Sequence, residues 1–114
     1  MAQVELSRVD GGVVCERCTV AATPFARMRG LLGRSELPPG EGILLRPAGS
    51  VHTAFMRFPI DVVFLDRELR VLAVEADVPA WRTRARRAAK AVLELPAGEA
   101  ARRRLAPGDR LEFA

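Results

Sequence analysis

The chain has 114 residues, 49% of them hydrophobic and 28% charged, which predicts one domain over 1–114 and excludes a disordered chain. No apolar run reaches the roughly 20 residues of a membrane-crossing helix. The opening Met-Ala-Gln-Val-Glu has no basic-then-apolar leader, so the expected location is cytoplasmic. The net charge of +4 comes from 17 Arg and the single Lys90, an Arg and Ala bias that reads as composition before it reads as binding.

Residues 2–9 alternate apolar and polar and predict a strand. Asp10-Gly11-Gly12 is a turn and 13–21 a second strand, together a hairpin. Thr23-Pro24 places a helix cap and a first-turn Pro before a short helix. Its face is Phe25, Met28 and Leu32, and Gly33 ends it. Residues 34–42 are loop by their Pro and Gly content. Short strands follow at 43–46 and 51–56. Phe58-Pro59 leads into Ile60-Asp61-Val62-Val63-Phe64-Leu65, apolar on both faces and so a central strand. The chain turns at Asp66-Arg67-Glu68 and returns over 69–76. A Pro, Trp and Arg loop over 79–88 precedes a strand at 89–95, a short helix at 98–104 and a last strand at 110–113. About eight short strands with regular turn signals predict a mainly β fold with short helices, an antiparallel sandwich or barrel.

Charge is unevenly placed. Residues 82–104 carry a net +6 and the remainder −2. Such a patch attracts anions, but a solvated Arg-rich loop has the same composition, and only Trp81 accompanies it for base stacking. The pair Cys15-Glu-Arg-Cys18 has half the ligand spacing of a zinc site and the spacing of a redox pair. It sits in a Val- and Thr-rich strand, where positions 15 and 18 point to opposite faces. Two incidental reduced thiols and no structural metal are the expectation, with metal and redox roles as alternatives.

Three residues stand out for chemistry. His52 is the only histidine and the only side chain that titrates near neutrality without help; its plain alternative is a core-edge histidine. Asp61 lies inside an apolar strand, where a carboxylate must be paired or used. If the strands flanking Phe58-Pro59 pair, His52 and Asp61 become neighbours. Otherwise Asp61 holds the backbone amides of the turn at 57–60. Arg29 is a candidate partner for Asp61 or Glu94. Thr53 faces away from His52, no glycine-flanked nucleophile stands out, and phosphate-loop and dinucleotide fingerprints are absent.

Five pieces in order resemble the DUF192 family: Ala22-Thr23-Pro24 with Arg27-Met28-Arg29-Gly30-Leu31-Leu32-Gly33-Arg34, then His52-Thr53-Ala54-Phe55-Met56 with Pro59-Ile60-Asp61-Val62-Val63-Phe64-Leu65-Asp66, then Val78-Pro79-Ala80-Trp81-Arg82, then Val92-Leu93-Glu94-Leu95-Pro96-Ala97-Gly98, and last Gly108-Asp109. The resemblance spans 22–113. It implies a jelly-roll-like β-sandwich with short helices and no established activity. Many relatives look exported or lipid-anchored, a feature that does not carry over to this chain. Arg29, His52, Met56, Asp61 and Glu94 fall on signature positions and form a candidate polar cluster. Trp81 and Arg82 would cover one end of it as a lid, or Trp81 simply packs.

The leading expectation is a domain that binds a small polar or anionic ligand near Arg29, His52 and Asp61, with the basic loop at the mouth and no cofactor. The rival is a structural or interaction module whose Arg-rich loop docks an acidic protein partner. Catalysis through His52 and Asp61 ranks third and specific nucleic-acid binding last.

Overall fold

Strict alternation along the strands divides the apolar residues between two faces of one sheet, and each face builds its own core. The computed structural model describes residues 3–23, 34–54 and 56–114. The expected helix at 25–32, and Arg29 with it, lies outside the described residues. Among the described residues the strands are β1 (Gln3–Arg8), β2 (Val13–Ala21), β3 (Glu41–Leu45), β4 (Ser50–His52), β5 (Ile60–Leu65), β6 (Val71–Val78), β7 (Thr83–Ala85), β8 (Ala91–Pro96) and β9 (Leu111–Phe113), with one short helix, α1 (Glu99–Arg102). Seven strands form a mixed sheet in the order β6-β5-β8-β3-β2-β1-β9, and β4 and β7 form a separate ribbon. The β-rich expectation with short helical content is met. The pairings are antiparallel except β2 with β3, which run parallel. A bridge between Arg70 and Arg110 brings the β6 and β9 ends near each other, but the sheet is not closed into a barrel.

Leu44, Val63, Leu65, Leu93 and Leu95 point to one face, where they pack with Leu6, Cys15, Cys18 and Ala100 of α1. Ile43, Leu45, Ile60, Val62, Phe64 and Val92 point to the other, where Val51 of the ribbon and Met56 cover them. This parity explains why β5 and β8 read as continuous apolar runs: both of their faces are buried.

Three expectations are corrected. The strand expected at 51–56 stops at His52 and pairs with β7, a strand placed inside the expected 79–88 loop. The strands flanking Phe58-Pro59 therefore do not pair, and His52 and Asp61 are not brought together by a shared ladder. Cys15 and Cys18 do not face opposite ways. Val4 pairs with Cys18 and Leu6 with Cys15, so two β2 residues, Glu16 and Arg17, oppose Glu5 alone. This β-bulge resets the alternation. Glu16 and Arg17 both face outward and both cysteines face the core.

Gly42 on β3 shows how tightly that core is filled. A Cβ there would lie 2.9 Å from the Glu94 carbonyl oxygen and 3.0 Å from Cys15 Sγ. Gly42→Ala should destabilise the protein by about 1–3 kcal/mol through overpacking against backbone that cannot retreat. Urea denaturation of the variant checks this, and an unchanged midpoint would show that the strands relax at no cost.

Candidate functional site

Asp61 sits on β5 with its side chain on the α1 face, 1% exposed. Its Oδ1 accepts the Asp77 backbone N–H at 2.9 Å, and its Oδ2 accepts those of Gly98 at 3.1 Å and Ala100 at 2.9 Å. α1 begins after Gly98, which offers no side chain to cap it. Asp61 supplies the missing cap from a strand distant in sequence, satisfying amides the helix cannot satisfy itself. The donors lie at the end of β6 and the start of α1, not in the 57–60 turn expected from sequence.

Thr53 is a second buried polar hub, on the opposite side of the sheet. Its hydroxyl donates to the Pro79 carbonyl at 2.7 Å and accepts the Arg82 N–H at 2.8 Å. Its backbone N–H reaches the Arg82 carbonyl at 2.8 Å, and its carbonyl accepts the Trp81 N–H at 3.0 Å. Thr53 thus ties the end of β4 to the 79–82 turn that leads into β7.

These two hubs hold an uncommon piece of backbone. Asp77 and Trp81 both adopt positive φ, 53° and 64°, a conformation that costs energy for residues with a Cβ and persists only where neighbours enforce it. Asp61 grips the first through its N–H and Thr53 the second. Between them runs Val78-Pro79-Ala80. Facing that segment, Met56, Arg57, Phe58 and Pro59 complete an open cleft of about 390 Å³ whose other wall is Asp77, Pro79 and Ala80. The floor is apolar, and one cation and one anion, Arg57 and Asp77, stand among its lining residues.

His52, Trp81, Arg82 and Glu94 are not among the residues that line this cleft. His52 is exposed on the ribbon, its Nδ1 3.0 Å from Thr83 Oγ1, so it is not a core-edge histidine. Trp81 is 61% exposed and does not pack into a core. Arg82 is exposed, with its guanidinium on the Trp81 carbonyl at 3.2 Å. Arg84 and Arg86 both pair with Glu75, at 3.8 and 3.6 Å, which offsets part of the basic loop. Glu94 lies on the Met56 face of the sheet, opposite to Asp61, so these two carboxylates do not share a site. Among the described residues no three His, Cys, Asp or Glu side chains gather as a metal centre.

Glu94 differs from Asp61 in having a buried oxygen without a donor among the described residues. It is 4% exposed and flanked in register by Ile43 and Val62. Its Oε1 has no hydrogen-bond partner among the described residues. Burial without compensation disfavours the carboxylate and pushes its pKa from the usual 4.5 up to about 7.

Sequence reasoning missed Arg57 and Asp77 as lining residues and set Thr53 aside because it makes a poor nucleophile. The usable signal for Asp77 was its place at a strand end before Val78-Pro79. Nothing local marked Thr53 as a hub, since its partners lie 26 and 29 residues away.

Two variants test the buried carboxyls. Asp61→Asn keeps the shape but turns an amide NH2 toward backbone donors, so stability should fall by roughly 3 kcal/mol. Denaturant titration reads this, and a loss within error would mean the three amides find other acceptors. For Glu94 the raised native pKa means that the folded state holds more protons than the unfolded one between pH 4.5 and 7. Its contribution is therefore favourable at low pH and is lost as pH rises, by roughly 3 kcal/mol once pH exceeds 7. A titration of stability against pH should show that decline in the parent and a flatter profile in Glu94→Gln. Parallel profiles would show that Glu94 is solvated or paired.

The fold has solved counterparts. A protein of unknown function from Novosphingobium aromaticivorans DSM 12444 is similar at 27% identity and TM-score 0.82, over 97% of this chain and 84% of its own. A protein from Sinorhizobium meliloti 1021, described as a proposed transcription regulator, is similar at 24% identity and TM-score 0.85, over 97% and 92%. A proposed exported protein from Burkholderia pseudomallei K96243 is similar at 15% identity and TM-score 0.52, covering 98% of this chain and 24% of its own. A search of curated proteins finds no match. No helix among the described residues is long and apolar enough to cross a membrane. Residues 6–113 match the family described as DUF192, Uncharacterized ACR, and the chain belongs to that family.

Proposed function

We propose that the protein binds a small polar ligand carrying an anionic group in the cleft between residues 56–59 and 77–80. The observation that carries this reading is a cleft whose wall is held in a costly backbone conformation by two buried polar hubs, Asp61 and Thr53. Packing alone does not require such a wall, whereas strain concentrates where a fixed surface is used. The volume of about 390 Å³ suits a small metabolite. Arg57 supplies the partner for an anionic group, Asp77 an acceptor for a hydroxyl or amine, and Met56, Phe58, Pro59, Pro79 and Ala80 an apolar bed. Asp61 acts in this reading as the residue that positions Asp77. Arg82, beyond Trp81, raises the local potential at the rim, and His52 stands on the neighbouring ribbon. Glu94 is not needed for the contact, and Arg29 lies outside the described residues.

The reading differs from an interaction module in which exposed Trp81 and the basic loop dock an acidic protein. A thermal-shift screen against small carboxylic acids, amino acids and phosphate esters separates the two. A ligand present at 100 times its Kd raises stability by about 2.7 kcal/mol. Arg57→Ser should remove that shift while leaving the unliganded melting temperature nearly unchanged, because an exposed charge contributes little to folding. A panel without a single shift, or a shift that survives Arg57→Ser combined with Asp77→Ser, would contradict the assignment.

A further inference from the structure

The β-bulge in β2 has placed two thiols together where the alternation of a regular strand would have separated them. Both Cys15 and Cys18 are free and fully buried in the α1-side core. Their register partners on β1, Val4 and Leu6, are two residues apart, so the bulge makes the two cysteines next neighbours along one face of β2. A disulfide needs Cβ atoms roughly 3.5–4.5 Å apart, so closing one here draws the two positions together across the bulge. The side chains leave the strand on the same face, and Cys15 Sγ donates to the Gly40 carbonyl oxygen at 3.5 Å. Gly42 stands opposite Cys18 on β3, and a Cβ there would come within 3.0 Å of Cys15 Sγ. The space the Cys15 sulfur occupies therefore depends on the absence of a side chain on the adjacent strand.

We propose that Cys15 and Cys18 are a thiol–disulfide modification site that closes to an intramolecular disulfide in reaction with a low-molecular-weight disulfide. Cys15 is the attacking sulfur. The neighbouring Cys18 thiol favours its thiolate and lowers its pKa, while the nearby Cys15 and burial raise that of Cys18. The Cys15 thiolate attacks one sulfur of the reagent, the reagent's S–S bond breaks, and its first half leaves as a thiolate that takes up the proton Cys15 lost. Cys18 then gives up its proton and attacks the Cys15 sulfur. The Cys15–Cys18 bond forms, the mixed disulfide breaks, and the second reagent half leaves as a thiol. Two protein thiols are oxidised by two electrons, and one reagent disulfide is reduced to two thiols. The buried sulfurs are reached through local opening on the β1–β9 side, where β9 is a three-residue edge strand.

The test is to incubate the folded protein with oxidised glutathione, quench in denaturant with an alkylating agent, and weigh the chain. The proposal expects both thiols to vanish together, the mass to fall by two hydrogens, and dithiothreitol to restore both. In Cys18→Ser the expected product is a single glutathione adduct on Cys15, because no resolving thiol remains. Should that variant fail to fold, the parent experiment decides alone. Two alkylated thiols on the parent after prolonged oxidation would overturn the proposal. So would two glutathione adducts on one chain, or dimers linked between chains.

Discussion

One buried carboxylate joins parts of the chain that no run of secondary structure connects. Asp61 faces away from water on β5 and holds the amides of Asp77, Gly98 and Ala100. A desolvated carboxylate is tolerated only where donors replace the water it has lost. Here the donors are backbone groups that would themselves be orphaned: the end of β6, and the first turn of a helix with glycine at its cap. The requirement is mutual, which is why the interaction fixes geometry as well as contributing energy. β6 must bulge where Asp77 can turn its N–H inward, and α1 must start against the sheet.

The cleft follows from that constraint. Asp77 at positive φ sits in a β-bulge, where two β6 residues oppose Asp61 before Val78 pairs with Ile60, and Thr53 catches the chain beyond it at Pro79, Trp81 and Arg82. The segment between is a short bridge fixed at both ends, facing Met56–Pro59. A surface made this way keeps its shape before any ligand arrives, so little ordering would oppose binding. Glu94 shows the opposite arrangement on the other face of the same sheet. Its Oε1 is buried without a donor among the described residues, and burial raises its pKa to about 7. Two acidic residues on adjacent central strands thus differ in surroundings because side-chain parity sends one toward backbone amides and the other toward Ile43 and Val62.

How much of this was legible in the sequence depended on range. β5 announced itself as an apolar run with a single carboxylate, and the turn residues Asp10-Gly11-Gly12 and Asp66-Arg67-Glu68 marked their hairpins. That Asp61 would be buried followed from the same run. Its partners did not, because 16, 37 and 39 residues separate it from its donors. β7 was invisible for a different reason. Thr83-Arg84-Ala85 is three residues long and largely exposed, so it has neither apolar content nor a period to read. The parallel pairing of β2 with β3 also carries no local signal, because loop composition does not state which strand the chain returns to. The bulge defeated a correct rule: positions 15 and 18 do alternate on a regular strand, and only the register against β1 reveals the extra residue.

Amide hydrogen exchange tests the central role of Asp61 most directly. Asp77 and Gly98 are exposed residues at the ends of elements, positions whose amides ordinarily exchange at rates close to those of an unstructured chain. With their N–H groups held by a buried carboxylate, the amides of Asp77, Gly98 and Ala100 should be protected together, and Asp61→Asn should release all three. Fast exchange at these sites in the parent protein, at the rate of neighbouring loop amides, would contradict the account.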